Sequence, residues 1–487
     1  MTAIDVAAFT GHWEVALPGV IVAATAMLVM AVDMIVRDPD ADALPVLGIA
    51  GLAVAAAAAV WLWGESPIGD GFASTLRGDR YALFFTVLLC AGSALTILMS
   101  VDFLREHPLP RGEYFALVLL ATTGMIFLAA ANDLIVLFLA LEIMSVAVYV
   151  LTGMLRAEPR SIEAALKYFL LGAFATGFLL YGIAFFYAAA GSTRLGVIAG
   201  AVAHDGARPF MILGLALVLV GFGFKVALAP FHVWTPDVYE GAPTAVTAFM
   251  AVGVKAAAFA AFARVVLAAL GGIAVRWSGL LWILAVLTMS VGNLVAVSQR
   301  SVKRMLAYSS IAHAGYALIG LVVATPAGGA ALVFYLAVYT FMTLGAFGVL
   351  LALGRRDEPG EGLADWAGVG FRHPVLGLSM VVFMLSLAGI PPTAGFAGKF
   401  YLFSAAVDAG YVGLAMIGVL NSLVSVYYYF GVLVQMYMVE GTRSLVPPGA
   451  RPCLLATIVV AVLVTLLVGI LPAGPMELAR EAFASLH

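Results

Sequence analysis

Phe224-Lys225-Val226-Ala227-Leu228-Ala229-Pro230-Phe231-His232-Val233-Trp234-Thr235-Pro236 closes an apolar run that begins near residue 210. It sets a lysine deep in apolar sequence and a proline five residues later. Neither suits an ordinary buried helix. An ammonium in hydrocarbon needs a partner or a wet cavity, and Pro230 leaves the Val226 carbonyl without its usual helical donor. Irregular backbone at membrane depth persists only where protein or water covers it. The stretch therefore reads as a broken helix beside a hydrated site.

About fourteen such runs follow one another, centred on residues 14–36, 43–63, 80–101, 114–131, 133–151, 162–188, 210–232, 243–270, 278–297, 304–325, 329–354, 375–407, 410–438 and 452–472. Runs of roughly 18 residues or more can cross a hydrocarbon core about 30 Å thick. The chain is 64% hydrophobic and 10% charged, against roughly one-quarter charged in soluble domains. The expected fold class is an all-α polytopic membrane protein, residues 1–487 forming a single membrane domain with helices 7 and 12 broken. Met1 to His12 carries Asp5 and no Lys or Arg, so the first run is expected to remain as a helix and not to be a cleaved signal. Cys90 and Cys453 lie in apolar runs and are too few for a disulfide framework, an iron–sulfur site or a zinc site, so no metal and no cofactor is expected in this chain. The net charge of −3 is spread out, which argues against nucleic acid or a polybasic lipid anchor.

With fourteen spans both termini share a side. One loop set holds Arg37, Arg105, Arg111, Arg156, Arg160, Arg300, Lys303, Arg304, Arg355, Arg356, Arg372, Arg443 and Arg451, and the other Arg77, Arg80, Arg194, Arg208, Arg276 and Arg480. Thirteen against six makes the first set cytoplasmic and the termini periplasmic.

A weak repeat runs through the middle. Tyr168-Phe169-Leu170-Leu171-Gly172-Ala173-Phe174 in the sixth run resembles the stretch from Tyr339 to Phe347 in the eleventh, which ends Leu344-Gly345-Ala346-Phe347. Each precedes a run broken by proline, Pro230 in one and Pro391-Pro392 in the other. A shift of five spans inverts the second unit, the plan of many transporters with midplane sites. The expected division is 1–110 for three N-terminal helices, 111–272 and 273–440 for two inverted five-helix repeats, and 441–487 for a C-terminal helix. Chance recurrence of Leu-Gly-Ala-Phe is the alternative.

Of five lysines, Lys167, Lys225, Lys255 and Lys399 fall inside apolar runs. Lysine carries a proton reversibly where burial makes both states reachable, whereas arginine stays charged. Glu142 sits mid-run with Ser145 and Tyr149 on its helix face; it reads as an acid that tunes a nearby lysine, or as a neutral acid bonded to another helix. Lys255 lies too deep to snorkel. Lys399 follows Ala388-Gly389-Ile390-Pro391-Pro392-Thr393-Ala394-Gly395, which should unwind mid-membrane. Lys167 either relays protons or snorkels to the surface. His232, seven residues after Lys225, is a relay or a structural histidine, and His313, among Ser309, Ser310 and Tyr316, is a path member or packing glue. Asp33, Asp237 and Glu240 read as capping or solvated groups. Tyr427-Tyr428-Tyr429, Trp61 and Trp63 read as interface anchors.

The stretch from Phe224 through Trp234-Thr235-Pro236-Asp237-Val238-Tyr239-Glu240-Gly241-Ala242-Pro243-Thr244 resembles the seventh-helix signature of the antiporter-like membrane subunits of bacterial NADH-quinone oxidoreductase, respiratory complex I, and its core is similar to that of the subunit N family. Ser301-Val302-Lys303-Arg304-Met305-Leu306-Ala307-Tyr308-Ser309-Ser310-Ile311-Ala312-His313-Ala314-Gly315-Tyr316 is similar to the family's tenth-helix motif. The likeness runs from about residue 110 to 440, and a chain ending soon after its fourteenth run fits subunit N better than subunit L. By this resemblance Glu142 matches the fifth-helix glutamate, Lys167 the sixth-helix lysine, Lys225 the seventh, Lys255 the eighth and Lys399 the twelfth. The resemblance implies a proton-translocating subunit, a translocase component of the bacterial inner membrane with no redox centre of its own. Flavin, iron–sulfur clusters and quinone would belong to partner subunits, and the partners would include a neighbouring antiporter-like subunit and small membrane subunits. A stand-alone cation/proton antiporter of the same superfamily and a non-conducting scaffold remain the alternatives.

Overall fold

The computed structural model describes residues 11–36, 42–66, 68–107, 109–205, 209–354, 360–441 and 451–486. Asp5 and, from the loop-charge tally, Arg37, Arg208, Arg355, Arg356 and Arg443 lie outside the described residues. Six helices open the chain: α1 (Leu17–Ile35), α2 (Ala43–Glu65), α3 (Arg80–Glu106), α4 (Arg111–Ala130), α5 (Leu134–Thr152) and α6 (Pro159–Ala190). A short α7 (Leu195–Asp205) leads to α8 (Pro209–Lys225) and α9 (Thr235–Gly241). Then come α10 (Thr244–Ala269), α11 (Ala274–Ala296), α12 (Val302–Val323), α13 (Pro326–Leu353), α14 (Pro374–Ala388), α15 (Ala394–Asp408), α16 (Val412–Met438), α17 (Pro452–Ile470) and α18 (Ala473–Ala484). Twelve helices among the described residues are long and apolar enough to cross a membrane. The pairs α8/α9 and α14/α15 supply two broken spans, which brings the total to the fourteen read from the sequence.

Local chemistry sets the helix ends. Asp79, Asp133, Ser301 and Thr325 each accept a backbone N–H of the helix that follows, at α3, α5, α12 and α13. Within the spans, Thr86, Thr96, Thr122 and Thr152 return their hydroxyls to carbonyls four residues back, so these polar side chains leave no unmet donor. A two-stranded hairpin, β1 (Asp70–Gly71) against β2 (Leu76–Arg77), is antiparallel with Asp70 opposite Arg77 and sits between α2 and α3.

The centre of the bundle is α10, buried along its whole length and packed against α3, α4, α8 and α13. Its sequence is Ala, Val and Phe with few large side chains, which permits close approach without an aqueous driving force. Two π-helical stretches, Met250–Val254 and Arg264–Ala269, widen it on either side of Lys255–Ala263. Such widened turns are frequent at functional sites.

Arg264 belongs to neither loop set. Its guanidinium binds Asp79 bidentately, Nη1 to Oδ2 at 2.6 Å and Nη2 to Oδ1 at 2.9 Å, with the two side chains 1% and 3% exposed. It also donates to the Ala129 carbonyl and lies 5.2 Å over the Tyr81 ring. The pair clamps α10 to the start of α3 at one end of the bundle. Breaking a buried pair on one side leaves an uncompensated charge costing about 3–5 kcal/mol. Asp79→Ala is therefore expected to lower the thermal midpoint of the detergent-solubilised protein sharply, and Asp79→Leu combined with Arg264→Met to recover most of the loss.

Candidate functional site

Lys225 is the last residue of α8, and the helix ends there, five residues before Pro230. Ala227 takes a left-handed φ of 62°, Ala229-Pro230 is cis, and the Ala229 N–H is met by Thr288 of α11 at 2.9 Å. The Lys225 ammonium is enclosed and has no hydrogen-bond partner among the described residues. It stands 5.2 Å from the Tyr149 ring centroid and 5.3 Å from that of Tyr168. Glu142, on α5, acts on it electrostatically, and one Glu142 carboxyl oxygen is itself enclosed without a partner among the described residues. Rings then continue from Tyr168 to Trp234, stacked at 4.4 Å, and on to Tyr239 at 6.1 Å, which lies beside Ser310.

Ser310 holds the second lysine. Lys255 Nζ donates to the Ser310 carbonyl at 2.5 Å and to its hydroxyl, with the Tyr339 ring 5.8 Å away. Three residues along α12, His313 places Nδ1 2.6 Å from the Tyr335 hydroxyl and Nε2 3.1 Å from that of Tyr429, which also meets Ser309. Tyr428 donates to Asn293 at 2.9 Å, and the Asn293 amide donates to Tyr316 at 3.1 Å. Above the Tyr316 ring, 4.7 Å from its centroid, lies the third lysine.

Lys399 sits on α15 and reaches back to the end of α14. Its ammonium donates to the Leu387 carbonyl at 2.9 Å, the Ala388 carbonyl at 3.0 Å and the Ser422 hydroxyl at 2.8 Å. Those carbonyls end a helix, where backbone acceptors lack partners and the macrodipole favours a cation. Gly389 has φ of 85°, and a Cβ there would meet Lys399 Cδ at 2.8 Å. The Pro391-Pro392 bond is cis.

A cavity of about 880 Å³ opens at one end of α10, lined in part by Arg156, Arg160, Glu240, Lys303, Glu361 and Arg451. Lys303 crosses it to the Ala242 carbonyl at 2.9 Å and to Glu361 at 2.8 Å. Its Lys and Arg residues all come from the larger loop set, and Glu106, Glu113 and Glu158 line it beside Glu240 and Glu361.

The profile of the family described as NADH:quinone oxidoreductase/Mrp antiporter matches residues 131–425. NADH-quinone oxidoreductase subunit N of Trichlorobacter lovleyi is 46% identical over 475 residues, 97% of each chain. A chain of respiratory complex I from Thermus thermophilus with bound aureothin superposes with a TM-score of 0.81 at 38% identity, covering 95% of this chain and 99% of that one. The chain belongs to the NADH-quinone oxidoreductase subunit N family. A chain of the Mrp complex from Dietzia sp. DQ12-45-1b shares the fold at TM-score 0.86 and 23% identity, covering 97% of each chain.

In this subunit N fold, Lys225, Lys255, Lys399 and His313 are buried, and Glu142 lies within electrostatic range of Lys225. Lys167 is not among them: it is 40% exposed and paired with Glu163 at 2.7 Å and Asp237 at 2.8 Å. His232 lies in the turn between α8 and α9, so the helical face drawn through Lys225 does not reach it. Asp237 and Glu240, read as capping or solvated groups, are partly exposed and pair with Arg304, and Asp237 also pairs with Lys167. Tyr428 and Tyr429 are not interface anchors: they are buried and hydrogen-bonded to Asn293 and His313, and only Tyr427 of the three faces outward. Beyond α17, the amphipathic helix α18 is tied to α3 by Arg80–Glu481 at 3.1 Å.

Asn293, Tyr335 and the Arg264–Asp79 pair were missed: Arg264 inside the run 243–270 carried the same signal as the buried lysines, whereas Asn293 and Tyr335 were only polar residues within apolar runs. Asn293 joins Tyr316, Tyr428 and Asn421 across three helices. Asn293→Leu should strand several buried polar groups at about 1–3 kcal/mol each, measured as a fall in thermal midpoint that exceeds the effect of Asn293→Asp.

Proposed function

We propose that this chain is a proton-translocating, antiporter-like membrane subunit of NADH-quinone oxidoreductase, carrying protons along Glu142, Lys225, Lys255, His313 and Lys399. One observation carries the reading: three fully buried lysines lie on broken or widened helices, and between the last two runs a string of histidine, tyrosine, asparagine and serine groups. Such groups pass protons by rearranging hydrogen bonds without adding net charge. Each lysine accepts and releases one proton as its surroundings change. Near Lys225 that change comes from Glu142, because opposite charges favour each other's ionised forms and separating them weakens the lysine's hold on its proton. His232 and Lys167 stand by as relays toward the surface.

The 880 Å³ cavity is lined by carboxylates as well as by Arg156, Arg160, Lys303 and Arg451, and the Lys and Arg count of the loops at this end supports reading it as the cytoplasmic mouth, from which protons reach Lys255 along the start of α10. Both termini are then periplasmic, in a bacterial inner membrane. The two broken spans at corresponding places support inverted five-helix units over 111–272 and 273–440, preceded by residues 1–110 and followed by 441–487. Redox energy comes from partner subunits, which hold the flavin, iron–sulfur clusters and quinone; the immediate neighbours are another antiporter-like subunit and small membrane subunits.

The test is redox-driven proton pumping by membrane vesicles carrying Lys255→Ala or Lys399→Ala, with assembly checked on a native gel. Pumping should fall at least tenfold in each while the complex stays assembled; normal pumping in both would leave a scaffold. Glu142→Gln is expected to slow pumping several-fold, and an unchanged rate would remove Glu142 from the path. The Mrp-like fold favours a second reading, a stand-alone cation/proton antiporter, and this one predicts that the solubilised chain fails to copurify with NADH-oxidising activity.

A further inference from the structure

Lys225 differs from the other two lysines in what surrounds its charge. Lys399 has three oxygen acceptors and Lys255 has the carbonyl and hydroxyl of Ser310. Lys225 has none among the described residues. What encloses it is aromatic: the Tyr149 and Tyr168 centroids are 5.2 and 5.3 Å from Nζ, inside the range of about 6 Å over which a ring face attracts a cation. The two rings meet at 82° with centroids 4.7 Å apart, so they form two walls of one corner.

That corner is held from several sides. Tyr168 stacks on Trp234 with planes 6° apart, and Trp234 is pinned by its indole N–H to the Phe224 carbonyl at 3.1 Å, next to Lys225 itself. Tyr149 passes Gly172 so closely that a Cβ there would meet its hydroxyl at 2.0 Å. Neither the Tyr149 nor the Tyr168 hydroxyl has a hydrogen-bond partner among the described residues, and both rings present their faces to the ammonium. Tyr149 and Glu142 share α5 and lie on the same face, seven residues apart. The acid and one wall of the corner therefore belong to one rigid element, and the other wall belongs to α6.

We propose that Tyr149 and Tyr168 are positioning residues that form the seat of the Lys225 ammonium, holding it protonated on two ring faces when Glu142 is not close enough to pair with it. A carboxylate in direct contact would lock the proton in place, and an apolar wall would expel it. A ring face does neither: it favours the charged form yet offers no atom that can take the proton, so the proton leaves only toward the next oxygen or nitrogen acceptor. The proposal rests on the proton path described above.

The test uses the assembled complex in vesicles and reads redox-driven pumping beside the NADH-quinone reductase rate, with a native gel for assembly. Tyr168→Leu and Tyr149→Leu are expected to reduce pumping at least fivefold, and Tyr168→Phe and Tyr149→Phe, which keep the ring, to restore at least half of it. Placing phenylalanine with one, two and three ring fluorines at position 168 weakens the ring's negative face with little change of shape, so pumping should decline stepwise even if a leucine variant fails to assemble. Full pumping in the leucine variants, equal loss in the leucine and phenylalanine variants, or a flat fluorine series would overturn the seat. Lys225→Ala serves as the control: undiminished pumping there would remove Lys225 from the path itself, whereas its loss alongside a flat fluorine series rejects the seat alone.

Discussion

An ammonium cannot be left unsolvated in hydrocarbon, and neither can a backbone carbonyl that has lost its helical partner. The two problems cancel where they are brought together. Lys399 supplies donors to the Leu387 and Ala388 carbonyls freed by the end of α14, so the broken helix and the buried charge are each tolerated because of the other. Lys225 occupies the last position of α8, where the helix dipole favours a cation, and receives ring faces in place of oxygens. Lys255 has no broken end to use and borrows the Ser310 carbonyl from a neighbouring helix, beside a stretch of α10 widened into a π-turn.

Much of the remaining architecture keeps these arrangements in place. Small residues let helices approach closely enough for side chains on α11, α12, α13 and α16 to bond one another directly. Around His313 and Asn293 the buried polar groups are hydroxyls, amides and one imidazole rather than further Lys, Arg or carboxylates, and they leave donors and acceptors that can exchange roles. Arginine has the opposite use. Arg264 is as buried as any lysine here, but it is permanently charged and bidentate to Asp79, so it anchors α10 and carries no proton. Lys167 shows that a lysine in an apolar run need not be deep: one surface carboxylate on its own helix and one on α9 draw it outward.

Hydropathy and backbone chemistry are properties of neighbours along the chain, and whatever depends on them was legible in the sequence. That covers the fourteen spans, the interruption near Pro230 and Pro391-Pro392, and the depth of Lys225, Lys255 and Lys399. The family likeness of residues 224–244 and 301–316 is local in the same sense. Tertiary structure alone decided the partners. Asp79 and Arg264 lie 185 residues apart, and His313 and Tyr429 lie 116 apart. Tyr428 and Tyr429 read as membrane-surface anchors until packing turned them inward, and Asp237, read as a capping or solvated group, has its ion-pair partners only because α6 and α12 bring Lys167 and Arg304 to it. The physical reason is that a chain specifies how deep each polar residue sits through the composition around it, whereas which polar groups meet is set by the rotation and contact of whole helices, a choice made only when they pack.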